Sequence, residues 1–489
     1  LDKEALKKIL FLWRNFIMVF SSILFLYVFL PVFLLLYHIV GTKMKNYVLL
    51  VTSLIFYAWG APKFVFVVVA SLIINFYVVQ QIDKQKKRKL FLLSSIIINL
   101  GLLSYFKYSN FFVDNINFII ESLGMHSVQW IRVALPIGIS FFTFQSLTYT
   151  IDVYRNVHKP LNKLTDYLLY ILMFPQLIAG PIVRFNTVAD DITNRKANET
   201  IDNKLLGIYR FIIGLSKKIL IANVLGEQVD YIYSLPIEQV DSILAWIAIV
   251  AYSFQIYFDF SGYSDMAIGL GKIIGFKFPE NFDNPYTSQN ITEFWRRWHI
   301  TLGQFMKYYL YIPLGGNRVA TNRRLYVNLG LVFLLSGLWH GASWNFVIWG
   351  AWHGLFLILD RVFLIKIFKK IGKLPRVLTT YIVVLVGWVF FRIEDFNQAV
   401  FYIKKMFEFQ FSKTLLTFNS EFYFTLGLGF IFSFITLLNS GKRLENIVFF
   451  SELKLKGHIL FLLLSILFLL VCTSYITATG FNPFIYFRF

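Results

Sequence analysis

A histidine in the middle of an apolar run calls for an explanation. His340 stands in LLSGLWHGASW, between Gly337 and Gly341. An ionisable side chain at membrane depth is costly to keep, so it is held there by function or by an internal hydrogen bond. A neutral imidazole, with an ordinary pKa near 6.5, can take a proton from a hydroxyl at physiological pH. The two glycines leave room for another chain or a substrate beside that ring. A general base for attack by a hydroxyl is therefore one reading of His340, and a structural helix-interior histidine is the other.

Two further histidines fall nearby. His299 closes FWRRWH, after Glu293 and beside Arg296 and Arg297. This string reads either as an interfacial helix anchored by Trp295 and Trp298, or as a segment with His299 at a chamber and the arginine pair facing an anionic donor. His353, in AWHG, lies 13 residues beyond His340. On one straight helix the two would point about 220° apart, so His353 reads as structural. Asp259 and Asp265 bracket FSGYS, and carboxylates so placed orient polar neighbours or a backbone break.

Other chemistries lack their residues. No set of ligands has metal-site spacing. No G-x-S-x-G nucleophile elbow occurs, nor a phosphate-binding P-loop. Gly315 and Gly316 in IPLGGN read as a turn. Cys472 is the only cysteine, so no intrachain disulfide forms, and its place in an apolar run makes it a packing residue.

What must position these groups is a membrane body. Of 489 residues 57% are hydrophobic and 15% charged, against about 25% charged in soluble domains. Apolar runs lie near residues 18–40, 47–60, 63–80, 90–106, 133–151, 165–183, 205–224, 242–258, 326–350, 345–365, 377–391, 421–438 and 458–475. A net charge of +20 argues for no nucleic acid partner, because the cations sit in short loops as the positive-inside rule requires. Residues 83–89 (DKQKKRK) form the strongest basic loop; Lys366, Lys369, Lys370, Lys373 and Arg376 form another, and Lys442, Arg443, Lys454 and Lys456 precede the last run. With these loops cytoplasmic, the C-terminus is expected to be extracytoplasmic. Residues 1–17 form either an interfacial amphipathic segment or lie ahead of a start at Met18, and no cleavable signal peptide is evident. From Phe254 to His353 the apolar pattern is broken by polar and Gly-rich strings. Irregular polar backbone at membrane depth survives only when buried or lining a cavity, so a polar chamber is expected there.

At these residues the sequence resembles the membrane-bound O-acyltransferases, in particular the bacterial alginate and peptidoglycan O-acetyltransferase-like branch. The matching segments are SLIFYAWGAPKF (53–64), LPIGISFFTFQSLTYTIDVYR (135–155), MFPQLIAGPIVRF (173–185), YFDFSGYSDMAIGLGKIIGF (257–276), NFDNPYTSQNITEFWRRWHITL (281–302), YLYIPLGGNR (309–318) and GLWHGASWNFVIWGAWHG (337–354). They fall in order over about 300 residues and are jointly specific. The resemblance implies an all-α polytopic membrane protein, roughly 11–13 membrane helices with re-entrant or interfacial helices around a central tunnel or funnel. It places His340 at the acyl-transfer centre and His299 as the second signature histidine. It also implies a cytoplasmic thioester donor: acetyl-CoA in the acetylating branch, a loaded acyl carrier protein in the D-alanylating branch. Trp339, Asn345 or a backbone N–H is then expected to stabilise the oxyanion, with Arg296, Arg297 and Asp259 lining the donor path.

The expected organisation is an N-terminal amphipathic segment (1–17), a transmembrane acyltransferase body (18–478, core 250–365) and an aromatic tail (479–489). The tail, GFNPFIYFRF, reads as an interfacial aromatic belt. By resemblance to the small membrane partner of D-alanylation systems, it reads instead as a fused acyl carrier. Tyr486 would then take the acyl group once a base removes its proton, since a phenol of pKa about 10 is otherwise a weak nucleophile. The function expected is O-acetylation of an extracytoplasmic cell-envelope polysaccharide at the bacterial cytoplasmic membrane, together with an SGNH-hydrolase-like acetyltransferase partner. The alternatives are D-alanyl transfer in teichoic acid modification and a non-catalytic acyl-donor transporter.

Overall fold

The computed structural model describes residues 18–84, 86–177, 180–410, 418–479 and 484. The expected amphipathic segment 1–17 and Tyr486 lie outside these residues. The described residues are helical with no strand, as lipid demands: without water, an apolar run satisfies its backbone only within its own helix.

The principal helices are α1 (Phe25–Ile39), α2 (Lys45–Gly60), α3 (Phe64–Lys84), α4 (Arg88–Ser122), α5 (Ile139–Tyr154), α6 (Leu164–Leu172), α7 (Ile201–Ser216) and α8 (Ser242–Ile273). They continue with α9 (Ile291–Arg297), α10 (Ile300–Phe305), α11 (Asn322–His340), α12 (Trp344–Leu359), α13 (Lys373–Arg392), α14 (Ser420–Leu437) and α15 (Leu455–Thr479). Among the described residues six helices, α3, α4, α8, α13, α14 and α15, are long and apolar enough to cross a membrane. Other apolar runs form shorter or more polar helices. The 165–183 run, for example, is helical only to Leu172 before the chain turns through a short helix at Phe174–Leu177.

α8 is the axis. Its most apolar window is 78% buried, against 17% for α4 and α15, so α8 is sheathed by protein while those two present their side chains outward. Phe66, Phe118, Phe430 and Leu463 are exposed, a surface that water would not tolerate on this scale and lipid does. α7 packs along α8 with the backbones touching. A Cβ on Gly207 would fall 2.6 Å from the Gly269 carbonyl, and one on Gly262 2.7 Å from that of Gly214. Between α8 and α7 with the π-helical segment Lys217–Asn223 that continues it lie charge pairs: Lys218–Asp259 at 2.7 Å, and Asp265 bridging Arg210 and Lys217 at 2.6 Å each. Asp259 and Asp265 thus neutralise cations on an unbroken helix; no backbone break separates them.

Side-chain caps set where the site helices begin. Asn290 Oδ1 accepts from Glu293 N at 2.8 Å and so caps the start of α9, while Glu293 Oε2 accepts from Gln289 N, one residue before the cap, at 2.9 Å. Thr321 Oγ1 starts α11 by accepting from Arg324 N.

Candidate active site

α11 ends on His340. Gly341 takes an extended backbone (φ −161°, ψ 151°) and α12 begins at Trp344. The chain folds back on itself as an antiparallel hairpin so tight that a Cβ on Gly337 would collide with the Phe346 carbonyl and one on Gly350 with that of Phe333. A Cβ on Gly341 would strike the Phe346 ring. The space these glycines leave is therefore filled by α12, not by a substrate. Their service to His340 is to let α12 close over it. The imidazole is buried, with ring centroids at 4.9 Å from Trp339, 5.0 Å from Trp349 and 5.3 Å from Phe391.

His299 arrives from a different element. It joins α9 to α10 with φ 44° and ψ 55°, a left-handed conformation that costs a non-glycine residue on the order of 1 kcal/mol. The neighbourhood holds it there. Ile300 N donates to the Asn281 carbonyl at 2.9 Å. Asn281 Oδ1 accepts from Thr301 N at 3.2 Å, Thr301 Oγ1 at 2.8 Å and His299 Nδ1 at 3.1 Å. Because a backbone N–H can only donate, that amide atom is the oxygen, and in the neutral imidazole the proton sits on Nδ1. Nε2 then carries the lone pair, and it is buried with no hydrogen-bond partner among the described residues.

Trp339 connects the two histidines. Its ring is 6.0 Å from His299 and 4.9 Å from His340, and it stacks on Phe144 of α5 at 5.3 Å. Its indole N–H, like that of Trp349, is buried without an acceptor among the described residues. The site thus offers two imidazoles and two unclaimed N–H donors inside an aromatic wall. Those are the parts needed to move a proton and to stabilise an oxyanion.

The remaining sequence candidates divide. Asn345 donates its amide to the Ile393 carbonyl, anchoring α12 to the end of α13. Asp259 is paired with Lys218. Arg297 is tied to Glu293 at 2.7 Å and to Thr287 Oγ1 at 3.1 Å, whereas Arg296 is exposed. Trp295 and Trp298 are not interfacial anchors. Trp298 packs on Trp388 at 4.9 Å, and Trp295 lies 4.9 Å from His353 and 5.3 Å from Trp349. The break at Gly341–Ser343 voids the straight-helix premise for His353. Its ring joins the His340 wall through Trp349, at 5.1 Å. Asn281, Lys107, Tyr108 and Trp349 escaped the sequence reading. Lys107 alone carried a signal, a cation closing the apolar run at 90–106.

Near this site Phe484, a residue of the C-terminal tail, is buried against Phe260 at 6.0 Å and Tyr263 at 5.0 Å. Phe260 in turn meets His299 edge-on at 4.7 Å.

Residues 17–392 match the profile of MBOAT, the membrane-bound O-acyltransferase family. The chain is 43% identical over 396 residues to a probable alginate O-acetylase AlgI of Pseudomonas aeruginosa, covering 80% of this chain and 75% of that one. It is 38% identical over 438 residues to the peptidoglycan O-acetyltransferase of Helicobacter pylori, covering 82% of each. A teichoic acid D-alanyltransferase of Bacillus subtilis is 31% identical over 51% of this chain and 65% of its own.

Proposed function

The chain belongs to the membrane-bound O-acyltransferase family, and from that premise we propose that this multi-pass acyltransferase moves an acetyl group from cytoplasmic acetyl-CoA to hydroxyls of a cell-envelope or exported polysaccharide. The membrane is the bacterial cytoplasmic membrane, and the C-terminus lies on its outer side. The observation that carries the reading is the approach of both signature histidines, His340 at 4.9 Å and His299 at 6.0 Å, to the one Trp339 ring.

In this mechanism the hydroxyl oxygen attacks the thioester carbonyl while His340 removes the hydroxyl proton. The tetrahedral oxyanion receives an indole N–H from Trp339 or Trp349. Collapse breaks the C–S bond, the ester forms, and His340 returns the proton to the leaving thiolate. His299 orients the thioester. Such base catalysis contributes about 10²–10⁴-fold, and one oxyanion donor about 10²–10³-fold.

The first acceptor is Tyr486, from which an extracytoplasmic SGNH-hydrolase-like partner carries acetyl to the sugar. What supports this is Phe484, seated two residues before Tyr486 against the ring that touches His299; two residues span at most about 7 Å. Purified protein supplied with radiolabelled acetyl-CoA or with a D-alanyl-loaded carrier protein tests the donor. Labelling from acetyl-CoA alone is expected, and labelling from the carrier alone would replace the reading with D-alanyl transfer. A transporter without catalysis would be labelled by neither and would keep its activity as His340→Ala.

A further inference from the structure

The C-terminal end of α11 leaves carbonyls that its own helix cannot satisfy. Gly341 N closes weakly on the Gly337 carbonyl at 3.4 Å. The next three carbonyls all receive donors from α4. Tyr108 Oη donates to Leu338 O at 2.8 Å. Lys107 Nζ donates to Trp339 O and, at 3.4 Å, to His340 O, and it is steadied by Ser140 Oγ at 3.3 Å. The same ammonium lies 5.8 Å from the centre of the Trp339 ring, within reach of a cation–π interaction. Lys107 and Tyr108 close a π-helical turn, Ser104–Tyr108, inside α4. Such a turn widens the helix locally and re-aims consecutive residues, and it recurs at functional sites. Here it turns two adjacent side chains onto one helix end.

We propose that Lys107 is a positioning residue for acyl transfer, setting the orientation of the Trp339 indole and the His340 imidazole by holding the peptide oxygens of both residues. The proposal rests on the acyltransferase reading of His340 given above. No continuing helix holds His340, because the chain leaves α11 at Gly341. The Lys107 amine is therefore the group that fixes the last peptides of the helix, and it does so by placing its N–H donors at the negative end of the helix dipole. Tyr108 assists through a neutral bond one carbonyl earlier.

The test is steady-state kinetics of Lys107→Met, Lys107→Arg, Tyr108→Phe and His340→Ala, each with a melting midpoint in detergent. Lys107→Met is expected to lower kcat about 100-fold, the loss typical of a misplaced reacting group, with the KM for acetyl-CoA within about twofold, since a group that touches no substrate leaves ground-state binding alone. Lys107→Arg, which keeps a cation and its donors, should recover to within about tenfold of wild type. Tyr108→Phe should fold normally and lose about three- to tenfold in kcat, so the proposal stays testable if Lys107→Met cannot be purified folded. Wild-type kcat in folded Lys107→Met, or in Tyr108→Phe where the former does not fold, alongside an inert His340→Ala would overturn the positioning role and leave the acyltransferase reading standing. An active His340→Ala would overturn that reading and the positioning role with it.

Discussion

Replacing Asn281 by leucine removes the one oxygen that organises the turn at His299. Asn281 Oδ1 accepts from the ring, from Thr301 N and from Thr301 Oγ1, at 3.1, 3.2 and 2.8 Å. Leucine has the same branching and the same number of side-chain heavy atoms, so the change removes the acceptor while keeping the shape of the side chain. The hydroxyl can turn to another acceptor, but the backbone N–H and the ring N–H cannot, and leaving both buried and unpaired costs about 1–3 kcal/mol each. The left-handed backbone of His299, already about 1 kcal/mol above an ordinary conformation, loses the contacts that held it. A destabilisation of about 2–5 kcal/mol follows, concentrated in the α9–α10 connection. With Nδ1 no longer committed as donor, the ring is free to take the other tautomer, which puts the proton on Nε2 and removes the lone pair from the site. Asn281→Asp keeps acceptor oxygens in place and should retain far more activity than Asn281→Leu at equal folding. The assay is acetyl transfer from labelled acetyl-CoA, normalised to folded protein by the melting curve. Asn281→Leu with wild-type melting and wild-type transfer would refute the reasoning.

Two other outcomes follow from the packing. Gly341→Ala should displace the Phe346 ring and lower both melting midpoint and transfer, and pairing it with Phe346→Leu should restore part of each; a silent Gly341→Ala would show that α12 does not close tightly on His340. Asp259→Asn takes the carboxylate charge away from the buried Lys218 ammonium and should destabilise the protein by about 3–5 kcal/mol, whereas Asp259→Leu with Lys218→Met should recover most of that stability; transfer that survives in the folded double variant assigns the pair to packing, and transfer lost there assigns it to the donor path.

Some of this was legible in the residues and some was not, for physical reasons. Hydropathy alone calls for helices in lipid, and a lone histidine in LLSGLWHGASW stands out because burial of an ionisable group is costly. The partners of these groups are set by tertiary contacts with no local signature. Asn281 and His299 are 18 positions apart in sequence and meet only because the chain loops through a left-handed residue. Lys107 reaches α11 across 232 positions. The straight-helix argument that sets His353 apart fails because the helix stops at His340, a stop marked in the sequence only by Gly341 and Ser343. Trp295 and Trp298 read as interfacial by type, yet in a short capped helix inside the body the same large rings pack the core.

The central claim, that His340 drives acyl transfer within this chain, is tested most directly by peptide mass spectrometry of the purified protein after incubation with acetyl-CoA, wild type beside His340→Ala. An acetyl group on Tyr486 in the wild type and none in folded His340→Ala is the expected result. Equal acetylation of both proteins would contradict it.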